Sequence, residues 1–192
     1  MSIPSSVFPT YSFRPRLVGG EFTFRLTDDA IEWEAGSRKK RIPFRQISHL
    51  RLSYRPGNVA FRRFLTEIWS RENGKLSIAS VSAQGPFNYE DRGEDYSSFV
   101  VELVRRLGEA QPGFRFDAGM SAWRWWFAMA FATATLAAVL YVVLQGFKQQ
   151  GNNLAILMIV FGALFVWQMG TMLLRNRPRS CEGEVVPQAV LP

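Results

Sequence analysis

The stretch RWWFAMAFATATLAAVLYVVLQGF, residues 124–147, decides how this chain is built. From 125 to 147 it carries no charged side chain over 23 residues. An α-helix of that length rises about 34 Å, and the hydrocarbon core of a bilayer is about 30 Å thick. A second uncharged run, residues 154–174, reaches about 31 Å by the same rise. Two core helices of a soluble protein are the alternative, but such helices keep a polar face and neither run has one. The expectation is therefore two transmembrane helices, 123–147 and 154–174, joined by the polar connector KQQGNN at 148–153.

Orientation follows from the cations near the ends of the spans. Arg105, Arg106, Arg115 and Arg124 precede the first span, Arg175, Arg177 and Arg179 follow the second, and only Lys148 lies in the connector. The positive-inside rule then puts both termini in the cytoplasm and the connector outside, in a multi-pass protein of the inner membrane. Trp123, Trp125 and Trp126 cluster where indole rings favour the headgroup region. The first residues lack a basic start followed by an apolar run, so the first span is expected to direct insertion itself. Cys181 is the only cysteine, which excludes an intrachain disulfide and leaves lipidation as a minor reading, since the spans already anchor the chain.

Upstream of the spans the pattern changes. Residues 1–20, punctuated by Pro4, Pro9 and Pro15, read as an extended arm. FTFRLT and AIEWEA both alternate apolar and polar residues across Asp28-Asp29, as a hairpin does. RKKRIPF and HLRLSYR read as further strands. The segment FRRFLTEIWSRENGKLSIASVS fits two periods: Phe61, Phe64, Leu65, Ile68 and Trp69 suit a helix, while Asn73-Gly74 signals a strand hairpin. Strand is the preferred reading, with a helix ending near Arg71 as the alternative. In EDYSSFVVELVRRLGEA, Tyr96, Phe99, Val100, Leu103, Val104 and Leu107 form one stripe of an amphipathic helix, opened by Glu94 and Asp95 and closed by Arg105 and Arg106 before Gly108. Residues 111–122 read as a linker, and the tail 175–192, without periodicity, as disordered.

The segments FTFRLTDDAIEWEAG, IPFRQI before SHLRLSY, RENGKLSI and YSSFVVELVRRL together resemble the pleckstrin-homology-like (PH-like) fold over residues 21–110. The chain looks like bacterial membrane proteins that carry such a domain beside two spans. The resemblance implies an α+β class: a bent β-sandwich or barrel capped by one C-terminal amphipathic helix, followed here by the two-helix transmembrane hairpin. It also implies that a basic strand loop could hold phosphorylated lipid headgroups. The matching stretch is SRKKR, and Arg38, Lys39, Lys40 and Arg41, with Arg45 beyond, are the candidate headgroup-binding residues. A solvated charged turn is the competing explanation.

Catalysis finds little support. His49 is the only histidine and sits in a strand-like segment. The pairs Asp28-Asp29, Glu90-Asp91 and Glu94-Asp95 occupy turn or helix-start positions. No phosphate-binding glycine motif occurs, and one His with one Cys offers no transition-metal set, so neither enzyme activity nor a cofactor nor a metal is expected. The net charge of +7 invites nucleic acid, but much of the excess lies at the span ends, so nucleic acid is not expected. Within the spans, Ala130, Ala134 and Ala138 form a small-residue row, Gly162 and Gly170 a flat patch, and Thr133 and Gln168 lie at similar depth, where they could share a hydrogen bond. No charged side chain lies within 125–147 or 154–174, which argues against ion or proton transport. The expected partners are anionic membrane lipids and another membrane or membrane-proximal protein. The function expected is a non-enzymatic binding module; the alternative is an accessory subunit of a larger membrane complex, contacting it through the spans.

Overall fold

Alternation and turn chemistry build the first sheet. The computed structural model describes residues 8–15, 20–56, 62–72, 74–85, 88–148, 152–182 and 186–192. In it, β1 (Thr10–Phe13), β2 (Phe22–Leu26), β3 (Ala30–Ala35) and β4 (Arg38–Pro43) form an antiparallel meander in sequence order. Gly36, at φ +60°, makes the two-residue turn that sets Ala35 opposite Arg38, a backbone shape that L side chains resist. One side of the meander brings Phe24, Leu26 and Ile31 to the core, while Arg25 and Glu32 point away.

A second sheet runs β11-β10-β5-β6-β7, where β5 is Ile47–Pro56, β6 Arg62–Ser70, β7 Gly74–Ala79, β10 Arg115–Ala118 and β11 Arg179–Glu182. A small hairpin of β8 (Val81–Ala83) and β9 (Tyr89–Asp91) precedes α1, Gly93–Ala110. The ambiguous segment is strand: Phe64, Thr66 and Ile68 lie on one side, facing the core between the sheets, and Leu65, Glu67 and Trp69 on the other, where Leu65 and Glu67 are also buried. The six stripe residues of α1 are all buried among the core residues of the two sheets. Tyr96 shares a hydrogen bond of 2.7 Å with Thr66 Oγ1, both residues fully buried, and so ties the helix to β6.

Several expectations need correction. The segment read as an arm contributes β1, because Tyr11 and Phe13 turn into the core and the Tyr11 hydroxyl donates to the Ala79 carbonyl at 2.6 Å. The segment read as a linker contains β10, which pairs parallel with β5 and buries Phe116. The tail read as disordered supplies β11, antiparallel to β10, and buries Val190 in the core. The folded domain therefore extends beyond 21–110 on both sides. Helix α1 continues past Gly108 to Ala110, so Arg105 and Arg106 do not serve as its last turn. Arg106 instead donates to the Thr27 carbonyl at 2.8 Å, fastening the helix to the β2–β3 turn. Residues 1–7 and 16–19 of the expected arm and residues 149–151 of the expected connector lie outside the described residues, as do Phe61 and Asn73 of the ambiguous segment.

The chain divides into two units. One comprises Met1–Gly119 with Arg179–Pro192, and the other Met120–Pro178. The second unit is a hairpin of α2 (Ala122–Lys148) and α3 (Asn152–Arg175). Within them, Ala122–Gly146 and Ile156–Arg175, with mean hydropathy 2.2 and 2.0, are long and apolar enough to cross a membrane. Almost nothing in their most apolar stretches is buried, at 0 % and 11 %, so these helices do not form the interior of the protein.

Candidate anion-binding surfaces and the helical hairpin

The basic run occupies strand β4 itself, not the loop, and the pleat therefore splits it between two faces. Lys39 and Arg41 share a face with Glu34 and Glu32, their cross-strand partners. Lys39 Nζ lies 3.0 Å from Glu34, and Arg41 Nη2 donates to both oxygens of Asp29, at 2.6 and 2.8 Å. The hydrogen bond from Arg41 is the main cause that holds the Asp29 carboxyl below its ordinary range. Arg38 and Lys40 fall on the opposite side of the strand, and Arg45 lies in the following 3-10 turn, Phe44–Gln46; all three are exposed and make no ion pair among the described residues. The structure thus separates the five candidates: two are committed to carboxylates of the same sheet, and three are available. A shallow groove of about 440 Å³ runs along β3 and β4, lined by Arg25, Lys39, Lys40 and Arg41 together with Glu32 and Glu34. Its lining is a mixed charge ladder with a modest positive surplus, in which Arg25, Lys39 and Arg41 each stand opposite a carboxylate on the neighbouring strand.

The second sheet carries another cationic surface. On its side away from the core, Arg51 donates to Asp117 at 2.8 Å, and His49 Nε2 stands 3.4 Å from the same carboxylate. Trp69 forms the centre of this patch: His49 lies against it at 4.9 Å between ring centroids, and Arg51 and Lys75 lie over its ring at 5.8 and 5.2 Å. Burial, with help from Arg51, lowers the His49 pKa below its ordinary value against the opposing pull of Asp117. His49 is thus packed between an indole and a carboxylate, and the Oγ of neighbouring Ser48 donates to the Trp69 carbonyl at 3.1 Å. That is ordinary sheet-surface packing. No group of three His, Cys, Asp or Glu side chains suited to a metal ion occurs among the described residues. Cys181 stands opposite Phe116 on the core side of β11, and burial raises its thiol pKa, so it is poorly placed for modification.

Sequence reasoning missed this second patch. The arginines of HLRLSYR were visible as alternating residues, but which residues of β6 oppose them depends on register, and no local signal fixed that.

In the helical unit, the packing stripe of α2 is Trp125, Ala128, Ala132, Thr135, Val139 and Val143, the less exposed residues at three- and four-residue spacing. The row Ala130, Ala134 and Ala138 lies on the exposed side and does not pack the hairpin. Gly162 does: it is buried, and a Cβ there would meet Val139 Cγ1 at 3.1 Å. Gly170 has open space around it. Thr133 Oγ1 donates to the Met129 carbonyl of its own helix at 2.9 Å, and the Gln168 side chain is exposed, so the anticipated hydrogen bond between them is not formed. A polar cross-link between the helices comes from Trp125, whose Nε1 donates to the Leu173 carbonyl at 3.0 Å, while Trp123 and Trp126 remain exposed. Rotation about the helix axis, which small-residue spacing does not determine, accounts for these differences.

Compared with protein families, curated proteins and solved structures, the chain matches no family model, no curated protein and no solved structure.

Proposed function

We propose that this chain is a two-span inner-membrane protein that presents a PH-like domain to the cytoplasm as a non-enzymatic binding module for an anionic lipid headgroup or a protein partner. The observation that carries the reading is the connectivity. Strand β10 leads into the first apolar helix and the second apolar helix leads into strand β11, so the folded domain is tethered to the hairpin at both ends. Short tethers of this kind keep a domain at high local concentration near the bilayer, where weak headgroup contacts suffice to orient it.

The strand order supports the PH-like part of the reading: a four-stranded meander, a three-stranded meander β5-β6-β7, then one amphipathic helix that buries its stripe against both. The exposed Arg38, Lys40 and Arg45 supply positive charge worth about 1 kcal/mol each near an anionic surface, weakened by salt. One observation favours the accessory-subunit reading. The Ala130, Ala134 and Ala138 row is left exposed on α2 and would let another membrane helix approach closely.

Alkaline carbonate extraction followed by affinity purification from native membranes tests the proposal. Retention in the membrane pellet supports the spans. Recovery of a stoichiometric membrane protein that is lost on Ala134→Leu would favour the accessory-subunit reading, and release of the chain by carbonate would defeat both.

A further inference from the structure

The outer face of the β5–β6 hairpin carries more positive charge than its own carboxylates neutralise. Register fixes which residues share that face: Arg51 opposes Glu67, Ser53 opposes Leu65 and Arg55 opposes Arg63. The alternate positions, Leu50, Leu52, Phe64 and Ile68, fill the core. Two arginines directly opposite on an antiparallel pair repel each other. Glu67, with only 8 % of its side chain exposed, is already shared between Lys75 at 2.6 Å and Arg55 at 3.7 Å. Asp117 is taken by Arg51. Arg63 makes no ion pair among the described residues.

The same face holds three buried polar atoms without a hydrogen-bond partner among the described residues: Arg51 Nε, Arg63 Nε and Ser53 Oγ. Ser53 as a residue is 6 % exposed. Native folds keep few such atoms, because a buried donor that has left water and found no acceptor carries the full desolvation penalty. Here they come from adjacent register positions, two guanidinium donors and one hydroxyl beside an uncompensated cation. That is the inventory that a tetrahedral oxyanion satisfies, since guanidinium groups donate to its oxygens and a hydroxyl completes the shell.

We infer that this face binds the phosphate of an anionic lipid headgroup, held by the Ser53 hydroxyl and the Arg51 and Arg63 guanidinium groups, with Arg55 adding positive charge. The bound phosphate offsets the Arg55–Arg63 repulsion and supplies acceptors to the unpartnered donors. This site differs from the basic strand β4, where Lys39 and Arg41 already have carboxylates. It rests on the membrane reading above only for the source of the phosphate.

The test uses the full-length chain in neutral detergent, with hydrogen–deuterium exchange read across β5 and β6. Dihexanoyl phosphatidic acid protects these strands, dihexanoyl phosphatidylcholine does not, and inorganic phosphate protects them only at far higher concentration. Arg63→Gln and Ser53→Ala each weaken the lipid effect about tenfold, the equivalent of one lost charge-assisted hydrogen bond. Arg63→Gln also raises the stability of the unliganded protein, because it removes a like-charge pair, whereas loss of a merely structural arginine would lower it. Unchanged protection in both variants overturns the inference, as does loss of protection in Arg38→Gln/Lys40→Gln instead. Equal protection by phosphatidylcholine overturns it too, and inorganic phosphate acting as strongly as the lipid overturns the lipid source. Release of the chain by carbonate would refute the membrane reading while leaving the phosphate titration intact, so the two failures are distinguishable.

Discussion

The buried hydroxyl pair of Tyr96 and Thr66 gives the sharpest prediction about what holds the domain together. Their oxygens lie 2.7 Å apart, both residues are fully buried, and they join α1 to the centre of the second sheet. Burial raises the Tyr96 pKa far above its ordinary value, so the phenol stays neutral and the pair is a hydrogen bond between uncharged groups. Tyr96→Phe keeps the ring and leaves Thr66 Oγ1 buried without its partner, at a cost of about 1–3 kcal/mol. Thr66→Val strands the phenol at a similar cost. The double substitution removes both polar groups and costs less than either single change, giving a coupling of at least about 1 kcal/mol. Hydrogen exchange of the β6 amides in the full-length chain reads this directly: each single change speeds exchange about 5- to 150-fold, and the second largely restores it. If the two single effects add, or if Tyr96→Phe leaves exchange unchanged, the buried pair does not fasten the helix to the sheet.

Other consequences follow from the same packing. Phe116→Ala should cost about 3–5 kcal/mol in domain stability, as a buried ring does; a neutral result in denaturant unfolding would mean that 115–118 is a linker after all. Because Ala118 pairs with Arg179, replacing residues 119–178 by Asn-Gly should close β10 and β11 into a hairpin and yield a water-soluble domain with cooperative unfolding; an aggregated or unfolded product would contradict the division into two units. Gly162→Leu should disrupt the helical hairpin, since its side chain would meet Val139, whereas Gly170→Ala and Gln168→Leu should leave it unchanged, as read by detergent-resistant cross-linking of α2 to α3. Hydrogen bonds from Arg105, then Arg106, hold Glu102 down to about 2 against the opposing effect of burial. Its contribution to stability is therefore present above the unfolded carboxyl pKa of about 4.3 and is lost as pH falls through that window toward 2. Glu102→Gln should flatten this part of the acid-unfolding curve.

The features readable in the sequence were those that declare themselves locally. Two runs without charge gave the apolar helices, the stripe from Tyr96 to Leu107 gave α1, and the alternation around Asp28-Asp29 gave the β2–β3 hairpin. The segment that became β6 and β7 satisfied two periods at once, and tertiary packing chose between them by placing Phe64 and Ile68 on one side and Leu65 and Trp69 on the other. Strands β1, β10 and β11 escaped notice because each has four residues, of which two in β1 and β10 and one in β11 turn inward, too few to register as a period. Their pairing is also long-range: Asp117 of β10 finds Arg51 of β5, far away along the chain. The basic run was legible as charge but not as geometry. Only the pleat shows that Lys39 and Arg41 meet Glu34 and Asp29 while Arg38 and Lys40 do not. The cationic face of β5 and β6 needed register as well as composition.

The chain's single native cysteine makes the most direct test of the account simple. In a Cys181→Ser background, Asn153→Cys marks the connector end of the hairpin and Ser37→Cys the exposed β3–β4 turn. A membrane-impermeant maleimide applied to intact cells should label residue 153 and should reach residue 37 only after the membrane is permeabilised. Labelling of residue 37 in intact cells, or of neither position until lysis, would contradict a cytoplasmic domain held by two crossings of the inner membrane.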